Sequence, residues 1–261
     1  MELLGVEKKG YGRVRAWGSI SFIMMVILAG SIIDRYPVGI ILVLILAGSA
    51  GQAIIALGIP TGRITSSSHF SHNRLKHFLN LKVSGFLLSA FFMLTSHGAY
   101  YGFFSIHLEQ LGYGKTFIGL CWALGVVAEI LVMVRSSQLF RAFSLENVLI
   151  FSFITAVLRW LTLYFFADPI VILISQVAHA ITYGTFHMAS ILYIDQMSPE
   201  GSKTFGQAVN NAVTYGFGLM TGFLINGYAY EHTDTFFLFL LSSLFALIAG
   251  CLFLMVRKYY P

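Results

Sequence analysis

Residues 148–166 read VLIFSFITAVLRWLTLYFF, an apolar and aromatic run that holds Ser152, Thr155, Thr162 and a single charge, Arg159. At about 1.5 Å of rise per residue, a helix of this run is about 28 Å long, close to the roughly 30 Å of a bilayer's hydrocarbon core. A charge at the centre of such a span costs about 2.5 to 3.5 kcal/mol on the insertion scale, and each Leu, Ile, Phe or Val returns roughly 0.3 to 0.6. About a dozen such residues return on the order of 5 kcal/mol, so the run inserts in spite of Arg159. The stretch is therefore a membrane span that carries a charge needing a reason.

The rest of the chain repeats the pattern. Similar runs lie at 16–33, 38–59, 83–106, 117–134, 170–193, 208–228 and 236–256, giving an all-α integral membrane protein of about eight spans. Overall, 57% of the residues are hydrophobic and 10% charged, against the roughly 25% charged of a soluble domain. The run from Ala16 to Ile33 follows Lys8, Lys9, Arg13 and Arg15, but it exceeds the roughly 7 to 15 apolar residues of a cleavable signal and reads as a retained span. Most links are short turns such as Ala167-Asp168-Pro169. One is long and polar, from Pro60 to Lys82, with Ser66, Ser67, Ser68, His69, His72 and His77. It divides the chain into a two-span segment, 1–59, a linker, 60–82, and a six-span bundle, 83–261.

Lys and Arg favour short cytoplasmic loops. With a cytoplasmic amino terminus, that side holds Lys8, Lys9, Arg13, Arg15, Arg63, Arg74, Lys76, Lys82, Arg135, Arg141, Lys203, Arg257 and Lys258, and the other side holds Arg35 and Lys115. Both termini and the linker are thus expected on the cytoplasmic face of the cell's inner membrane. The net charge of +5 follows this distribution, and nucleic acid is not the expected partner. Cys121 and Cys251 fall in runs near opposite faces, too far apart for a disulfide. Within the bundle, His97-Gly98-Ala99-Tyr100-Tyr101-Gly102 and His179-Ala180-Ile181-Thr182-Tyr183-Gly184 share a His-x-x-x-Tyr-Gly pattern. They sit on first helices of opposite direction, as an inverted three-plus-three repeat requires.

Two charges lie well inside spans, Glu129 and Arg159, on consecutive antiparallel helices. They read either as a proton- or solute-sensitive pair facing a wet cavity, or as a static pair or a snorkelling Arg. Polar aromatic stripes at intervals of three and four mark three helices: His97, Tyr101 and Phe104; Gln176, His179, Tyr183 and His187; Gln207, Asn211, Thr214 and Tyr215. Facing lipid, these groups go unpaired, so the stripes meet protein or water, as interhelical glue or as the wall of a cavity. His can pass a proton near neutral pH and Tyr faces can hold an aromatic solute. Together they suit proton-coupled uptake of a small organic molecule. His97, Tyr101, His179, Tyr183, Asn211 and Tyr215 are the candidate solute contacts, and Glu129, Arg159 and His187 the candidate coupling groups. No phosphate-binding Gly-Lys motif, His-Glu-x-x-His or Gly-x-Ser-x-Gly is present. The reading is a non-enzyme without a cofactor or metal, the linker histidines being solvated.

The segments Tyr11-Gly12-Arg13-Val14-Arg15-Ala16-Trp17-Gly18-Ser19, His97-Gly98-Ala99-Tyr100-Tyr101-Gly102-Phe103 and Leu124-Gly125-Val126-Val127-Ala128-Glu129 resemble the phenylpropionate permease branch of the major facilitator superfamily, related to lactose permease-type proton symporters. The resemblance implies alternating access around a cavity between two six-helix bundles, with the eight spans as helices five to twelve of twelve. It places Glu129, Arg159 and either His179 or His187 where that type has an acid, an Arg and a His on helices eight, nine and ten. That type also has a Glu one turn past its His, whereas Thr182 and Tyr183 follow His179 here and Ser190 follows His187, so Glu129 is the remaining proton acceptor. The first four helices and half the cavity wall fall outside this sequence, and the chain alone is expected to be inactive. A monomer in the bilayer carrying an aromatic acid such as phenylpropionate is the implied protein. A sugar or nucleoside carrier, or a non-transporting assembly protein, is the alternative.

Overall fold

A computed structural model describes residues 39–58 and 80–259, with scattered positions between 17 and 37. Most of the expected span 16–33 and most of the linker, including His69, His72 and His77, lie outside the described residues. All regular structure among the described residues is helical. The chain forms two compact units, Arg13–His72 and the remainder, Met1–Gly12 with Asn73–Pro261. The first unit contains α1, Ile40–Leu57, an 18-residue apolar helix ended by Gly58.

The second unit holds the other described helices. Helix α2, Leu81–Ser96, starts where the Asn80 side chain accepts from Val83 N at 2.9 Å. It ends at His97, and α3, Gly98–Gln110, begins at once. A turn with Gly112 at φ +84° leads to α4, Lys115–Ala142. This helix runs past the expected end at 134, because Arg135, Ser136, Ser137, Gln138 and Arg141 continue it as polar turns beyond the apolar run. Ser144 caps α5, Leu145–Phe165. Asp168 accepts from Ile170 N and Val171 N and, with Pro169 in the first turn, starts α6, Pro169–His179. A π-helical segment, π1, Ala180–Thr185, joins α6 to α7, Phe186–Met197. In the same way π2, Asn211–Gly218, joins α8, Lys203–Asn210, to α9, Leu219–Tyr230. The last helix is α10, Thr235–Tyr259.

Among the described residues five helices are long and apolar enough to cross a membrane: α1, α4, α5, the composite Pro169–Met197 and α10. The expected spans 83–106 and 208–228 are instead interrupted, one at His97 and one through π2. Helix α10 packs against α5 and α2, α2 against π2, α3 against α9, and α4 against α6 and π1. The core is strongly aromatic, with Phe86, Tyr100, Phe104, Phe153, Trp160 and Phe186 fully or nearly fully buried. The outward faces are apolar too: Leu131 and Val134 on α4, Leu158 on α5, and Ile170 and Ile174 on α6 are exposed. That distribution suits a hydrocarbon surround rather than water.

Three glycines set how closely α2 and α3 approach π2 and α9. A Cβ on Gly98 would lie 2.4 Å from the Gly222 carbonyl carbon, one on Gly222 2.5 Å from Thr95 O, and one on Gly218 2.8 Å from Phe91 O. Thr95 Oγ1 donates across this seam to Gly218 O at 3.1 Å.

Candidate functional site

The Ser144 cap and the apolar faces of α5 place Arg159 about two-thirds of the way along the helix, 2% exposed. Its Nε donates to Ser175 O at 2.8 Å, and its Nη1 lies 3.1 Å from His179 Nδ1 and 3.3 Å from Thr182 Oγ1. The guanidinium faces the rings of Tyr100 and Trp160, with Cζ 4.3 and 4.5 Å from their centroids. Such contacts stabilise a cation by about 0.5 to 2 kcal/mol, more when desolvated. Nη2 has no hydrogen-bond partner among the described residues.

The partners decide which ring nitrogen carries a hydrogen in two histidines. Guanidinium only donates, so His179 Nδ1 accepts and its Nε2 carries the hydrogen. His97 Nδ1 lies 2.8 Å from Met93 O, which only accepts, so here Nδ1 carries a hydrogen. That Nε2 is buried without a partner.

His179, Tyr183 and His187, four residues apart, form a ladder of near-parallel rings. Their centroids are 5.4 and 6.2 Å apart and their planes meet at 14° and 6°. Tyr101 meets Tyr183 and His179 edge-on at 5.9 and 6.1 Å, and His97 lies 6.1 Å from Tyr183 and 6.2 Å from His179. At the other end His187 Nδ1 is 2.6 Å from the Tyr215 hydroxyl. Tyr100 closes the near side, donating to Gln176 Oε1 at 2.8 Å. Glu129, 9% exposed, comes from α4, which can approach π1 and α6 because each side carries a glycine: a Cβ on Gly184 of π1 would be 3.0 Å from Glu129 Cγ, and one on Gly125 of α4 3.6 Å from His179 Cδ2.

Of the residues singled out from the sequence, His97, Tyr101, Glu129, Arg159, His179, Tyr183, His187 and Tyr215 thus fall in one continuous cluster. Asn211 is exposed, while its neighbour Asn210 is fully buried. The hydroxyls of Ser190 and Thr214 reach Asn210 Oδ1 at 3.4 and 3.2 Å. Tyr100, Trp160, Ser175 and Thr182 were not singled out. The only sequence signal for the first two was their place beside Tyr101 and Arg159.

The family model described as the MFS_1 like family matches residues 1–241. A protein of Escherichia coli (strain K12) named a probable 3-phenylpropionic acid transporter is 30% identical over 226 residues, covering 85% of this chain and 59% of that protein. A maltose permease of Geobacillus stearothermophilus is 23% identical, covering 99% of this chain and 66% of the permease. The chain therefore spans about three-fifths to two-thirds of the length of these curated relatives. The crystal structure of the nucleoside transporter NupG superposes with a TM-score of 0.75 at 17% identity, over 96% of this chain and 68% of that one, which shows a shared fold. Since that family model covers most of the chain, the chain belongs to the MFS_1-like family of the major facilitator superfamily, a family of transporters rather than enzymes.

Proposed function

We propose that this chain is the carboxyl-terminal part of a proton-coupled symporter for a small aromatic acid, with Glu129 as the coupling acid. The observation that carries the reading is the buried Arg159 guanidinium, framed by Tyr100 and Trp160 and joined to His179. A cation inside a span has a default reading of function. Here it offers charge to a carboxylate while the surrounding rings suit a flat apolar body. The relative named for 3-phenylpropionic acid supports the acid as solute. The maltose permease and NupG keep sugars and nucleosides as the competing classes.

The test uses this chain joined behind the four-helix amino-terminal segment of the E. coli relative, which supplies the opposite wall of the cavity. Vesicles holding it should accumulate labelled 3-phenylpropionate when the outside is acidified, and a protonophore should abolish the accumulation. Displacement of the label by maltose or uridine, but not by other aryl acids, would move the assignment to a sugar or nucleoside. A protein that carries none of the three, and tolerates replacement of Glu129 and Arg159 together without loss of folding, points to an assembly role. This chain by itself should give no uptake.

A further inference from the structure

His107 lies near the end of α3, just past the expected span 83–106, and belongs to a row of hydrogen bonds that ties three helices together there. Thr235 Oγ1 gives its one hydrogen to Gln110 Oε1 at 2.9 Å, so toward His107 Nδ1, 2.8 Å away, it can only accept, and Nδ1 carries a hydrogen. Gln110 Nε2 continues the row to the Tyr230 hydroxyl at 3.2 Å. The ends of α3 and α9 are thereby fastened to the start of α10. The other ring nitrogen is placed differently. His107 is fully buried, its Nε2 has no hydrogen-bond partner among the described residues, and the rings of Phe236 and Phe239 stand edge-on to it at 4.8 and 5.0 Å.

In the neutral ring Nε2 holds a lone pair. In the imidazolium it holds a second N–H with no acceptor, a buried charge beside the positive end of the α10 dipole. The titratable groups on the elements around the ring are Glu109 on α3, Tyr230 on α9, Glu231 and His232 in the turn after it, and Asp234 just before α10. All but Tyr230 are exposed. The Asp234 carboxylate favours a proton on the ring, but burial outweighs it and holds the imidazole below its ordinary range. We propose that the row from His107 through Thr235 and Gln110 to Tyr230 is a pH-sensitive clasp, closed while His107 is neutral and released when the ring takes a proton and turns to water. A closed ring binds its proton more weakly than an open one. Acid therefore favours the open clasp, by up to about tenfold per pH unit below the ordinary His range near about pH 6.5. With both termini cytoplasmic, this end of the helices faces outward, and the clasp reads the external pH.

The experiment follows hydrogen exchange of the full chain in nanodiscs by mass spectrometry, each rate corrected for the intrinsic pH dependence of exchange. From about pH 7.5 to about pH 5, protection of peptides covering 107–111 and 235–239 should fall at least about tenfold, while peptides covering 145–165 stay within about twofold. His107→Asn, whose amide nitrogen can donate in place of Nδ1 but takes no proton, should keep its protection at about pH 7.5 within about threefold and lose the pH dependence. Equal protection of the two segments at both pH values overturns the proposal. So does a loss that persists in His107→Asn, or one that spreads evenly to 145–165 and so reports unfolding of the whole. Where His107→Asn fails to fold, Gln110→Ala at its exposed position decides. It should lower protection of both segments already at about pH 7.5 and shrink the further loss in acid, and unchanged protection there means that the row does not hold the helix ends.

Discussion

Glu129 approaches Gly184 from α4 and Arg159 meets His179 from α5, and replacing each should separate two steps of transport. In the joined protein, Glu129→Gln keeps the shape of the side chain but cannot take up and release a proton. Accumulation driven by a pH gradient should fall at least about tenfold, while exchange of labelled for unlabelled solute stays within about twofold, since exchange need not release the proton. A variant that accumulates normally sinks the coupling role. Arg159→Ala should impair both accumulation and exchange. It should also lower the melting temperature, because Ser175 O, His179 Nδ1 and Thr182 Oγ1 lose a buried partner, at about 1 to 3 kcal/mol for each group left unpaired. Arg159, His179, Tyr183 and His187 could be read from the sequence because a charge in an apolar run and a three-and-four spacing are local signals. Tyr100 and Trp160 could not. Each neighbours a residue that was read, about 100° away around a helix, and each joins the site through a guanidinium supplied by tertiary packing.

The elements themselves divide into those written in apolar runs and those made by packing. The close seam between α2–α3 and π2–α9 makes a sharp distinction between glycines. Gly98→Leu and Gly222→Val drive a side chain into backbone, so each should destabilise by well over the about 1 to 3 kcal/mol of ordinary overpacking, read as a lowered melting temperature or loss of the folded band. Gly227→Ala, with open space around its Cα, should melt within a few degrees of the unmodified chain. Equal effects at the two kinds of site would mean that the seam does not hold the bundle. The sequence placed spans at 83–106 and 208–228 but not their interruptions. The His97 break keeps φ −83° and ψ −6°, which need no special residue, and a π turn has no composition of its own to betray it. The caps at Asn80, Ser144 and Asp168 follow the ordinary rule for helix starts.

For the whole molecule, the lopsided Lys and Arg count makes a prediction about orientation. A fluorescent reporter that matures only in the cytoplasm, fused after Pro261, should glow, and alkaline phosphatase fused at the same place should be inactive. The reverse result would invert every loop. Some of the counted residues are held in pairs, Lys203 with Asp195 and Glu200 at 3.5 and 3.0 Å and Arg257 with Glu146 at 3.4 Å. Exposed pairs of this kind contribute only about 0 to 1 kcal/mol, so these charges bear on orientation more than on stability. The long apolar helices α1, α4, α5, Pro169–Met197 and α10 were legible at this scale because hydrophobic length is a strong, local quantity. The two wide turns, π1 and π2, were not, because a π turn has no composition of its own. A wide turn closes on the fifth residue instead of the fourth and so accommodates about one residue more than the α turn it replaces. Comparing this chain with a relative whose corresponding helices are regular therefore requires a one-residue gap inside 180–185 and another inside 211–218. A gapless alignment would equate Tyr215 and everything after it in α9 with neighbours on the wrong side of the helix.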